Sequence, residues 1–70
     1  MIEQAISLTV TREVALVRAT AAGTPKAWGA LAAAGVVAFK ELAGRPATEE
    51  ERRAIWAGLW QAVEAVSRAG

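Results

Sequence analysis

"ISLTVT", residues 6–11, supports two secondary structures, and the choice between them decides the fold class. Read as a strand, it alternates strictly and is rich in β-branched residues, the pattern of a half-buried strand. Read as part of a helix, it belongs to a stripe formed by Ile2, Ile6, Val10, Val14, Val17 and Ala21, with Thr9, Glu13 and Thr20 crowded onto the same face. Helix is the expected state, because one short strand has no pairing partner elsewhere in this chain. Only a second copy could supply one.

Downstream, two breaks divide the chain, and each joins a helix stop to a helix start. At the first, Gly23 can adopt the left-handed conformation that ends a helix, Thr24 can cap the next one, and Pro25 suits its first turn, where a missing N–H costs nothing. At the second, Gly44 closes a helix and Pro46 prevents its continuation. Thr48-Glu49-Glu50-Glu51 then forms a capping box, with three acids beside the positive helix end. The result is three helical segments of about 20 residues with short connections, the lengths of antiparallel helical hairpins. The expected fold is therefore all-α, a small three-helix domain spanning residues 1–70.

The last helix carries Ile55, Trp56, Leu59, Trp60, Ala62, Val63 and Val66 within an arc of about 160°, wider than the ~100° stripe that an ordinary surface helix buries. Trp60 lies at the rim of this arc. Arg52 falls inside it but in the first turn, where its stem can cover apolar surface while its head reaches water. Gly58 on the flank costs about 1 kcal/mol relative to alanine unless another backbone approaches there. In the middle helix, Trp28, Leu31, Gly35, Phe39 and Leu42 form a packing seam, yet the opposite face holds Ala30, Ala33 and Val37 with only Lys26, Lys40 and Glu41 at its ends. A helix that is apolar all round is normally buried all round. Three helices leave each one a wet face, so this pattern calls for a fourth packing element, and Gly29, Ala30, Ala33 and Ala34 permit its close approach.

Composition narrows the chemistry. The 70 residues include no His, Cys, Asp, Asn or Tyr, so disulfides and ordinary zinc sites are excluded as supports for a core that supplies roughly 3–5 kcal/mol at this size. Self-association is the remaining support. Eight basic residues are interleaved with seven glutamates, a net charge of +1 that gives no field for nucleic acid or anionic lipid. Eighteen alanines, six Arg against two Lys and no Asn or Cys fit a GC-rich, thermophilic source. The start Met1-Ile2-Glu3-Gln4 lacks the features of a secretory signal, which implies a cytoplasmic protein. The longest charge-free run, Ala27 to Phe39, has 13 residues and is too short to span a ~30 Å hydrocarbon layer.

Catalysis has no evident machinery. No His is present, Ser7 and Ser67 lack a base other than Lys or Glu, and Glu49, Glu50 and Glu51 read as a helix cap rather than as metal ligands. No catalytic, cofactor or metal residues are expected. If residues 6–11 were a strand, the order of elements across residues 5–40 resembles the ribbon-helix-helix family, which implies a dimer whose ribbon enters the DNA major groove, with Ser7, Thr9 and Thr11 facing the bases and Arg12 and Arg18 near phosphates. That ribbon carries no Lys, Arg, Asn or Gln. A small membrane-active helical protein is a further alternative, against which the basic residues do not gather on one face. The reading that remains is a non-enzymatic association module, forming a homodimer or higher oligomer or docking on another protein, with Leu31, Val37, Leu59, Trp60 and Val63 as the expected interface.

Overall fold

A computed structural model describes residues 1–69 and leaves Gly70, the last residue of the expected domain, outside the described part. Four helices follow one another: α1 (Ile2–Arg12), α2 (Val14–Ala21), α3 (Ala27–Ala43) and α4 (Glu49–Ala69). No strand occurs among the described residues. The all-α expectation holds, and residues 6–11 are helical, so the ribbon needed for a ribbon-helix-helix dimer is absent. The count differs from the expected three helices because the first segment breaks at Glu13.

The break has a local cause. Ala5 and Thr9 are fully buried on the inner line of α1, and the next residue on that line is Glu13. A carboxylate carried inward by a continuous helix would lose its hydration without a partner, at a cost far above that of a local kink. The backbone departs from helical geometry at Glu13 (φ −115°, ψ 40°), and the side chain stays half-exposed. Thr9 contributes as well, since its hydroxyl donates to the Ala5 carbonyl at 2.7 Å, a bond back to the preceding turn that bends helices. Thr20 does the same to Leu16 at 2.7 Å. The three polar residues that obscured the helical stripe are thus satisfied in place or mark its kink.

At the α2–α3 corner, Gly23 (φ 81°) ends α2 in a Schellman motif: its N–H donates to Thr20 and that of Thr24 to Ala19. The expected Thr24 cap and Pro25 first turn do not form. Residues 24–27 instead make a turn closed by the Ala27 N–H on the Thr24 carbonyl, and Lys26 sits in the left-handed region (φ 68°, ψ −7°) before α3 begins at Ala27. That is the third position of a type II turn, where glycine is favoured. Left-handed geometry costs a side-chain-bearing residue roughly 1–2 kcal/mol, and the greater freedom of glycine in the unfolded chain returns part of this. Lys26→Gly is expected to raise stability by about 0.5–1 kcal/mol, read as a higher urea midpoint at unchanged slope. A lower midpoint would remove the turn assignment.

Phe39, Leu31, Ile55, Leu59, Val17, Ala5 and Val63 form the core, so every helix contributes to it. Two glycines set how closely the helices meet. A Cβ on Gly35 would lie 2.8 Å from both Ile55 Cγ2 and Leu59 Cδ1, so α3 and α4 touch through the missing side chain. At Gly58 the space is filled by the Ile6 side chain from α1 rather than by an approaching backbone. The radius of gyration, 11.3 Å, is close to the ~11 Å of a compact domain of this length, so the kinked α1–α2 segment lies along α3 and α4 rather than projecting from them. Arg12 of α1 also pairs with Glu41 of α3 on the surface.

Candidate functional site

The middle helix was expected to find cover on its outer side, and among the described residues it has none. Gly29, Ala30, Ala33 and Val37 are exposed, Val37 at 58%, on a face bracketed by Lys26, Lys40 and Glu41. The inner face carries Leu31, Gly35, Ala38 and Phe39, all buried. Helical periodicity explains both faces, since residues 30, 33 and 37 lie on one side and 31, 35 and 39 on the other. Alanine has the highest helix propensity and costs no side-chain entropy, so an alanine-rich outer face forms a helix readily without needing burial.

The other side of α3 forms its junction with α4, where Gly35 meets Ile55 and Leu59. Trp60 meets Trp28 edge to face, with ring centroids 5.3 Å apart and planes at 87°. That is the arrangement favoured by the ring quadrupoles. Trp28 is half-buried while Trp60 remains 47% exposed, so the pair lies at the edge of the interface rather than in the core. One turn earlier, the Trp56 indole N–H donates to the Ala32 carbonyl at 3.1 Å and ties α4 to the α3 backbone. The Arg52 guanidinium carbon sits 5.8 Å from the centre of the Trp56 ring and the residue is exposed, so the charged head, rather than the stem alone, lies over the indole as a cation–π contact.

The relative placement of α3 and α4 is held by their connection. Gly44 (φ 73°) ends α3 with its N–H on the Lys40 carbonyl. Thr48 and Glu51 form the capping box: the Thr48 N–H donates to Glu51 Oε1 at 2.9 Å and the Glu51 N–H to Thr48 Oγ1 at 3.2 Å. Arg45 then grips Glu51 through its two terminal guanidinium nitrogens, each at 2.8 Å, and its guanidinium carbon lies 5.2 Å from the Phe39 ring centre. Glu49 pairs with Arg53 at 2.9 Å, so two of the three acids are engaged within the connection and first turn.

Arg45 first, then the Thr48 N–H, hold the Glu51 carboxyl down to about 2, against an ordinary 4.5, and the same pairing raises Arg45. A carboxyl lowered on folding stabilises the fold above its unfolded value and loses that contribution as pH falls towards its folded value. The stabilisation from Glu51 is therefore complete above about pH 4.5 and disappears between there and about pH 2. Glu51→Ala is expected to melt below the parent at pH 6, with the gap narrowing as the pH is lowered through that window. A gap of constant size would show that the ionised pair contributes nothing.

Of the five residues expected at an interface, the structure keeps two on the surface. Val37 and Trp60 are open, whereas Leu31 and Leu59 are 0% exposed and Val63 3%. Those three lie in the chain's own core and present no surface to a partner, because the line 55, 59, 63 faces inward along α4 and Leu31 shares the seam of Gly35 and Phe39. Leu42 ends the same seam yet is 42% exposed, at the last turn of α3. The Trp28–Trp60 pairing had no signal in the sequence beyond the rim position of Trp60, since it joins residues 32 apart in the chain. The described surface carries no ligand-sized pocket, and no group of three or more acids or other metal ligands gathers on it. No described helix is long and apolar enough to cross a membrane. No protein-family model, curated protein or solved structure matches the chain.

Proposed function

We propose that this chain is a non-enzymatic association module that pairs with a second copy of itself through the outer face of α3 and the Trp60 edge of α4. The observation that carries the reading is the exposure of Ala30, Ala33 and Val37 on a helix with no charged residue between Lys26 and Lys40. Small side chains let two such helices approach closely. Removing this surface from water is favourable by roughly 25 cal/mol per Å².

Charge supports a second copy as the partner. With a net charge of +1, two chains meet with little mutual repulsion, whereas nucleic acid or an anionic surface would find no concentrated basic field. Size supports a broad contact. The longest side of the molecule measures 35 × 20 Å, about 700 Å² in projection, close to the ~800 Å² per partner of a standard interface. Trp60 would add to the contact made by the α3 face, since it has the amphipathic indole typical of interface anchors.

Light scattering at two protein concentrations tests the proposal. The parent chain is expected to exceed 7.3 kDa and to approach a multiple of it as concentration rises. Val37→Glu and Trp60→Glu are each expected to return the mass towards 7.3 kDa while leaving far-UV circular dichroism unchanged. A parent that stays at 7.3 kDa at the higher concentration would exclude self-association.

A further inference from the structure

We draw no further inference here: the strongest candidate, the half-exposed Trp28–Trp60 edge between α3 and α4, belongs to the face already proposed for self-association, and nothing in the structure shows what else covers it.

Discussion

Leu59→Ala is expected to destabilise the fold by about 4 kcal/mol, towards the upper part of the ~2–5 kcal/mol range for truncating a buried leucine. The position in that range follows from what surrounds the side chain. Leu59 is 0% exposed, and its Cδ1 occupies the space where a Gly35 side chain would be. Truncation leaves a void bordered on the α3 side by a residue that has nothing to fill it. Collapse into that void would require α3 and α4 to shift against the Trp56–Ala32 hydrogen bond and the Arg45–Glu51 clamp. A core of this size supplies roughly 3–5 kcal/mol, so the variant should lose most of its helical signal at 25 °C. The measurement also separates core from interface. A residue acting only between copies would, when truncated, change the molar mass and leave the dilute chain folded, whereas Leu59→Ala should unfold the chain at every concentration. A melting midpoint lowered by only a few degrees would return Leu59 to the interface.

That contrast marks the limit of what the sequence made legible. Elements whose signals are local were readable: Gly23 and Gly44 as helix stops, the Thr48–Glu51 box, and the helical stripes of α3 and α4. Lys26 defeated the same reasoning, because a lysine in left-handed geometry is unfavourable in itself and is held there by the turn closing between Thr24 and Ala27. Glu13 defeated it differently. The residue was visibly misplaced on the apolar stripe, but a misplaced carboxylate can be met by a partner, a strand or a break, and only the packing of α1 and α2 against α3 and α4 selects the break. For the candidate site, the apolar character of both α3 faces was legible. Leu31, Gly35 and Phe39 of the expected packing seam do turn inward, so Leu31 has no surface left for the interface also expected of it, while Val37 stays exposed. Along α4, the arc of apolar residues is wide enough to serve a core and an edge together. The division falls between Val63 and Trp60, at 3% and 47% exposure, and no single-helix pattern contains it.

The two glycines of α3 give the sharpest test of which face is inward. Gly35→Val should cost about 3 kcal/mol, at the upper end of the usual overpacking penalty of ~1–3 kcal/mol. Its first added atom alone would stand 2.8 Å from Ile55 Cγ2 and Leu59 Cδ1, and valine adds two more methyls there. The Leu59 methyl can swing away, but Ile55 is β-branched and fully buried, so its Cγ2 moves only by leaving the preferred χ1 rotamer or by displacing the backbone of α4. Six residues earlier, Gly29 has nothing within 4 Å of where a Cβ would stand and is exposed. There Gly29→Ala should stabilise the folded chain by about 0.8–1 kcal/mol, the helix-propensity difference between the two residues. The pair has opposite signs only if α3 turns Gly35 towards α4 and Gly29 towards solvent. For a domain of this length each kcal/mol moves the melting midpoint by roughly 4–8 °C, so the two variants should separate by at least about 15 °C. If both glycines proved equally tolerant, the α3–α4 contact would be looser than the structure has it, and the outer face of α3 would lose its definition with it.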